Sequence, residues 1–259
     1  MDYKEFKAEI LKLFDINLDF YKEKQMKRRI DSLISKNKYN NYRDYVQALK
    51  GSTNLFSEFL DYITINVSEF YRNPEQWDIL GKEVIPLLFK ESKEDLKIWS
   101  AACSTGEEPY TLVMVLNRHL PFNKINILAT DIDNNVLKKA KEGIYSSKSI
   151  EKLPQDHVSK YFIKEQHNYR IKDEVKNCVN FKQHDLLKDD YPKGLDLIVC
   201  RNVLIYFTEE AKNQIYEKFN KSLKTGGILF VGSTEQILSS AKYGFRSIRT
   251  FFYKKERDI

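Results

Sequence analysis

The sequence predicts an α/β fold, a parallel sheet covered on both faces by helices, preceded by a small all-helical domain. Three observations carry this. From about residue 75 onward, short apolar runs of strand type alternate with helical stripes, and most of the runs are unbroken, as strands buried on both faces require. From residue 1 to about 64 the apolar period is that of helices throughout. Residues 143–178 show little apolar period and separate the second strand run from the third by far more than one crossover helix needs, so they read as an insertion.

In the first region Phe6, Ile10, Leu13 and Phe14 form one stripe at helical spacing, and Met26, Ile30, Leu33 and Ile34 form a second. Tyr42, Tyr45, Val46 and Leu49 follow, then Phe56, Phe59, Leu60 and Ile63. Four short helices are expected. The period is lost around "NVSEFYRNPEQW", and Pro74 fits the first position of a new helix. Residues 65–75 are taken as a linker, and 76–259 as the α/β domain. There, strands are expected at Leu96–Ala101, Asn126–Thr130, Val179–Gln183, Leu195–Cys200 and Ile228–Gly232. A helix with Thr208 as N-cap carries Ala211, Ile215, Phe219 and Leu223 and ends before Gly226 and Gly227. The closing "FRSIRTFFYKK" reads as a last strand or hairpin at the sheet edge.

Composition bounds the function classes. The chain has 259 residues, 42% hydrophobic and 31% charged, which excludes disordered and collagen-like classes. It has no apolar run of roughly 18 residues, and "MDYKEFKAEILKLF" is amphipathic with both signs of charge, so neither membrane insertion nor a signal peptide is expected. A cytoplasmic location is the expectation. Cys103, Cys178 and Cys200 are far apart and read as buried thiols, and His119, His157, His167 and His184 lack metal-ligand spacing. No metal site is implied. The net charge of +6 is unevenly spread. Residues 20–50 carry nine basic side chains against three acidic ones, and the rest of the chain is near neutral.

Ligands of open parallel sheets bind at the carboxyl ends of the strands. After the first strand comes "ACSTGEE", where one glycine, Gly106, is followed by Glu107 and Glu108. A pyrophosphate cradle uses several glycines and backbone N–H groups. Acid in this place favours a cationic ligand. After the second strand comes Asp131, which can bond the two hydroxyls of a ribose or can serve as N-cap of the next helix in "DIDNN". Adenosine without phosphate, joined to two positive groups, describes S-adenosylmethionine, whose ammonium Glu107 would attract. Glu108 is explained by the first turn of a helix, where anions are favoured. After the fourth strand comes "CRNVLIYF". Asn202 can donate and accept toward a ligand, Val203 and Leu204 can form an apolar wall, and Tyr206 can face a transferred methyl. Asn202 as a turn residue and Tyr206 as a half-buried aromatic are equally open. The Asn-Pro-Pro-aromatic loop of nucleic-acid amino methyltransferases is absent here.

"NVSEFYR", "IWSAACSTGEEPYTL", "ATDIDNNVLKKAKEGIY" and "DLIVCRNVLIYF", in this order and spacing, resemble the chemotaxis receptor methyltransferases, the CheR family. "YKEKQMKRRI" and "YRDYVQAL" resemble that family's helical domain, so the likeness runs over nearly the whole chain. It implies a Rossmann-like S-adenosylmethionine-dependent methyltransferase fold with residues 1–64 as N-terminal helical domain and 143–178 as a small inserted β-subdomain. It also implies methyl transfer from S-adenosylmethionine to glutamate side chains on the cytoplasmic helices of chemoreceptors, giving γ-methyl esters and S-adenosylhomocysteine. Carried over residue by residue, Asn66, Ser68 and Arg72 serve the cofactor, with Arg72 pairing with its carboxylate. Glu107 holds the amino group, Asp131 the ribose, Asp185 and Leu186 lie near the adenine, and Asn202 with Val203 completes the pocket. Three positions depart from the family pattern: Ser68 for Thr, Tyr71 for Phe, and Asp185 for Asn. The last replaces an amide donor by an acceptor-only carboxylate.

The chemistry suits these residues. A glutamate side chain is ionised at neutral pH, with an ordinary pKa of about 4.3, so the nucleophile needs alignment and desolvation rather than a general base. Arg72 and Tyr206 are the expected orienting groups. On a helical wheel Lys24 and Arg28 lie opposite the stripe of Met26, Ile30, Leu33 and Ile34, and Lys27 and Arg29 flank it. This basic face is the expected docking surface for glutamate-rich receptor helices. Some family members grip a receptor's C-terminal pentapeptide through a longer, glycine-containing loop in the β-subdomain. Only "YFIKEQHNYRI" stands here, so no such tethering is expected. Two other classes compete: a nucleic-acid methyltransferase, suggested by the basic patch although no nucleic acid partner is expected, and a cofactor-binding regulator without turnover.

Overall fold

A computed structural model describes residues 1–92 and 95–259, and its chain divides into two compact units. The first comprises Met1–Asn66 and Leu204–Gln214, and the second Val67–Val203 and Ile215–Ile259.

The first unit is built on α1 (Tyr3–Phe14), α2 (Glu23–Lys36), α3 (Tyr42–Gly51) and α4 (Thr53–Thr64). Each start follows from local chemistry. Asp2 and Glu5 form a reciprocal capping box on α1, Asn41 accepts from the Asp44 N–H on α3, and Ser52 accepts from the Leu55 N–H on α4. The predicted stripes meet inside: Phe6, Ile10, Ile30, Leu33, Tyr45 and Phe59 are fully buried. Phe14 stays half-buried and stacks on Phe56 with ring centroids 4.3 Å apart. The Leu204–Gln214 segment belongs to this unit and is stitched on by backbone. Lys22 N–H donates to the Tyr206 carbonyl at 2.9 Å, Thr208 N–H to the Phe20 carbonyl at 2.8 Å, and Tyr21 bridges Phe207.

In the second unit, α5 (Pro74–Ile79) starts with Pro74 in its first turn, as the sequence predicts, and continues through a π-helical turn at Leu80–Val84 into α6 (Ile85–Glu91). Then come β1 (Ile98–Ala101), α7 (Glu107–Leu116), β2 (Ile127–Asp131) and α8 (Asn134–Glu142). The 143–178 stretch holds β3 (Ile144–Ser146), α9 (Ser147–Ile150), α10 (Gln155–Tyr161), β4 (Phe162–Glu165), β5 (Asn168–Ile171) and α11 (Asp173–Lys176). The chain finishes with β6 (Val179–Gln183), β7 (Leu195–Cys200), α12 (Glu209–Ser222, which enters this unit from Ile215), β8 (Leu223–Val231), β9 (Phe245–Arg249) and β10 (Phe252–Lys255).

Among the described residues the main sheet has seven strands in the order β6-β2-β1-β7-β8-β10-β9, parallel except that β10 runs against both its neighbours. From β1 the chain winds outward through β2 to β6, and from β7 it winds the other way through β8. The strand order therefore switches direction between β1 and β7, where such sheets open a crevice at their carboxyl ends. All four residues of β1 and all six of β7 are buried, which explains their unbroken apolar runs. Helix α7 packs on β2, β6, α11 and the Leu80–Val84 turn, so it is apolar on every side, not along one stripe. The insertion makes a separate three-stranded antiparallel sheet, β3-β5-β4.

The boundary between α12 and β8 differs most from expectation. Leu223, read as the last helical apolar residue, begins β8 instead, paired with Leu195. Gly226 and Gly227 lie inside that strand beside a register shift, where glycines mark an irregularity rather than a helix end. The final segment is the expected edge hairpin, β9 with β10.

Candidate functional site

The turn after β1 is held from both sides. Cys103 N–H donates to the Thr130 carbonyl at 2.8 Å, and Ser104 N–H donates to the Asp131 carboxylate at 2.8 Å, which ties the turn to the end of β2. Ala102 and Ser104 adopt positive φ of 64° and 49°, a strained pair at the mouth of the crevice. Gly106 has φ 96°, and an added side-chain carbon would sit 3.0 Å from both the Ala140 side chain and the Tyr145 hydroxyl. One glycine thus meets a steric demand of this turn. Glu107 is buried at the first position of α7, its carboxylate accepting from the Thr105 hydroxyl at 2.6 Å.

Asp131 does not cap the next helix. The N-cap of α8 is Asp133, which accepts from the Asn135 N–H. The Asp131 carboxylate lies at the end of β2, accepting from Ser104 and Asp133 N–H groups, and burial pushes its pKa upward. Asp185 is held in a local turn by the Leu187 N–H at 2.8 Å, and burial raises it too. Leu186 beside it is buried. Asn202 leaves β7 with φ 60°, so the turn geometry is real, and its N–H donates to the Glu235 carboxylate at 2.6 Å. Val203 is half-buried beyond it. Leu204, expected in the apolar wall with Val203, is fully buried: it is a packed core side chain.

The 67–73 segment is anchored by its own neighbours. Phe70 is buried edge-on against Tyr145 and Phe162, and Tyr71 N–H donates to the Thr111 hydroxyl. The Arg72 carbonyl accepts from Arg201 Nη2 at 2.8 Å and from the Trp77 indole N–H at 3.0 Å. The Arg72 guanidinium is half-buried and donates weakly to the Val67 carbonyl at 3.4 Å. Ser68 is half-buried on the same segment. Asn66 and Tyr206 belong to the helical unit, where Asn66 donates to the Thr64 hydroxyl at 3.0 Å.

Residue-by-residue sequence reading passed over the charges beneath this site. Arg201 has only 2% of its side chain exposed and lies 3.7 Å from the Glu108 carboxylate. Its guanidinium also donates to the Gln76 and Asn73 side chains and packs over Trp77 and Phe230. Burial pushes Glu108 up to about 7, against the pull of Arg201 and the Ser100 hydroxyl, and lowers Arg201 itself. Glu108 is therefore the carboxyl partner of the buried Arg201, beyond the helix-end role the sequence suggested. The signal was present as a charged residue inside the apolar run "DLIVCRNVLIYF", since an arginine there must find a carboxylate.

The residues fit a cationic adenosine ligand. Glu107 and Asp131 supply carboxylates in the turn after β1 and at the end of β2, and on that turn the buried Ser104 hydroxyl has no hydrogen-bond partner. No cradle of several glycines for a diphosphate is built here. On the helical unit, Lys24 and Arg28 are exposed. Lys27 pairs with Asp31 at 2.7 Å, and Arg29 donates to the Tyr62 carbonyl and lies 4.7 Å from the Tyr62 ring. Among the described residues no helix is long and apolar enough to cross a membrane, and no cluster of metal-ligating side chains occurs.

The comparisons with known proteins agree with this architecture. Residues 1–64 match the model of the CheR methyltransferase all-alpha domain, and residues 66–252 match that of the CheR methyltransferase SAM binding domain. A chemotaxis protein methyltransferase of Listeria innocua is 47% identical over 98% of this chain and 97% of its own length. One from Borreliella burgdorferi is 37% identical over 86% of this chain and 84% of its own, and chemotaxis protein methyltransferase 2 of Vibrio cholerae is 32% identical over 86% and 80%. With both family domains matched in order over nearly its full length, the chain belongs to the CheR family of S-adenosylmethionine-dependent methyltransferases.

Proposed function

We propose that this enzyme methylates the side-chain carboxylate of glutamates on chemoreceptors, forming γ-methyl esters. The observation that carries the reading is acid at two strand ends: Glu107 stands in the turn after β1, where a phosphate-binding loop would present N–H groups, and Asp131 stands at the end of β2. Bound S-adenosylmethionine supplies an electrophilic methyl carbon on a sulfonium centre. Glu107 takes its ammonium, Asp131 the ribose, Asp185 and Leu186 the adenine edge, and Asn202 with Val203 the remaining wall. Asn66 and Ser68 add polar contacts, and Arg72 pairs with the cofactor carboxylate. Arg72 and Tyr206 orient the reactants, and no residue forms a covalent intermediate. Asn66 and Tyr206 take these roles from the family resemblance alone.

A labelled-methyl transfer assay on receptor-containing membranes tests this reading. Base-labile label on the receptor is the expected result, because an ester hydrolyses in alkali. Alkali-stable label on nucleic acid, with steeply salt-dependent binding, overturns it in favour of a nucleic-acid enzyme. Cofactor binding without transfer overturns it in favour of a regulator.

The exposed cations of α2 give the receptor an electropositive partner face. Lys24 and Arg28 have no ion pair among the described residues, whereas Lys27 and Arg29 spend part of their capacity inside the unit. Charge reversal at Lys24 and Arg28 together is expected to raise KM for receptor about tenfold at low salt and leave cofactor affinity unchanged. Equal losses in both measurements would remove the docking assignment.

The hairpin of β4 and β5 turns through Gln166 and His167 only, with Gln166 at φ 53°. That turn leaves little chain with which to grasp a peptide. Calorimetry with a receptor C-terminal pentapeptide is expected to show no binding, and a measurable affinity would overturn the absence of tethering.

A further inference from the structure

Asn202 leaves the carboxyl end of β7 in the left-handed region, φ 60°, a conformation uncommon for residues with a side chain and entered most readily by asparagine. What holds it is Glu235. One oxygen of that carboxylate, Oε2, accepts the Asn202 N–H at 2.6 Å and the Gly232 N–H at 2.8 Å. Glu235 is 5% exposed, and its charge is felt by the buried Arg201. Charge-assisted bonds of this length from a buried acceptor are the strong kind.

Gly232 makes the arrangement sterically possible. A side-chain carbon there would lie 2.4 Å from Glu235 Oε2, 2.8 Å from the Asn202 nitrogen and 3.0 Å from the Asn202 side-chain amide. The carboxylate and the asparagine amide thus crowd over a bare α-carbon at the end of β8. Glu235 sits beyond the last parallel strand, outside the motifs that carry the family resemblance.

We propose that Glu235 is a positioning residue for the cofactor pocket: it locks the backbone of Asn202 so that the Asn202 amide and Val203 present a fixed wall to the adenosine. The inference rests on the assignment of Asn202 and Val203 to the cofactor. Glu235 acts through Asn202 and touches no reacting atom.

The test is a double-mutant cycle on the full chain, read as the calorimetric Kd for S-adenosylhomocysteine. Glu235→Asp draws the carboxylate back by one methylene, releases the Asn202 backbone and is expected to weaken binding about tenfold. Asn202→Ala is expected to cost about tenfold in the wild-type background and less than about twofold on Glu235→Asp, since the amide is already displaced there. Glu235→Gln, which keeps an acceptor oxygen in place, is expected to recover affinity to within about threefold of the wild type. Should Glu235→Asp fail to fold, Gly232→Ala intrudes on the same two bonds and replaces it in the cycle.

Equal losses for Asn202→Ala in both backgrounds overturn the proposal, as does wild-type affinity in Glu235→Asp. A Glu235→Gln protein as weak as Glu235→Asp also overturns it, because charge and not acceptor geometry would then matter. Failure of the wild type to bind S-adenosylhomocysteine is a distinct outcome that removes the pocket assignment itself and the proposal with it.

Discussion

Arg72→Ala is expected to lower kcat for methyl transfer by about 10²–10³-fold, the usual effect of removing one preorganised charged donor from a reaction centre. The effect should fall on the chemistry because the backbone of this residue is independently fixed. Its carbonyl accepts from Arg201 and from the Trp77 indole, Phe70 is buried on one side, and Tyr71 is tied to Thr111. Truncating the guanidinium leaves all of those contacts in place. Single-turnover transfer at saturating cofactor, beside the calorimetric Kd for S-adenosylhomocysteine, separates the outcomes. Loss of rate with an intact fold supports the role. An unchanged rate with normal cofactor binding would dismiss Arg72 as an orienting group.

Breaking the buried pair beneath it should produce the largest change in stability. Arg201→Ala strips the countercharge from Glu108 and a donor from the Arg72 carbonyl and the Gln76 side chain, and is expected to cost about 3–5 kcal/mol. The value should fall toward the lower end, because Glu108 already titrates at about 7 and can take up a proton in place of its partner.

The same carboxyl makes a pH prediction of definite sign. Its folded pKa is raised above its ordinary value, so between about pH 4.5 and 7 the native state binds a proton that the unfolded chain has released. That contribution to stability is complete below the unfolded pKa and is lost as pH rises through the folded one. Relative to Glu108→Gln, the wild type should therefore lose up to about 3 kcal/mol between pH 4.5 and pH 8. Urea unfolding of both proteins across that range measures the difference, and parallel profiles would contradict the assignment.

Much of the fold was legible because its central strands are buried on both faces. Leu195–Cys200 was delimited by its apolar run and is β7, buried along its whole length, whereas Val179–Gln183 is β6 at the sheet edge, where only Phe181 is buried. Leu223 was misplaced because periodicity cannot tell the last turn of a helix from the first residue of a strand that begins irregularly at two glycines. The insertion resisted reading for a related reason. Its β3, β4 and β5 are three or four residues each, too short to establish alternation.

By itself the sequence determined the order of helical and α/β regions, the acid in place of a phosphate loop, and the basic face of α2. These are local properties, expressed in periods of a few residues and in residue types at a turn. Only the tertiary structure decided that Asp133 rather than Asp131 caps α8, that Leu204 is core, and that Glu108, Arg201 and Glu235 share one buried charge system. Those three residues come from α7, the end of β7 and the loop after β8, 93 and 34 positions apart in the chain. Partners at such separations leave no spacing to read, since the requirement that a buried charge be compensated states that a partner exists and not where it lies.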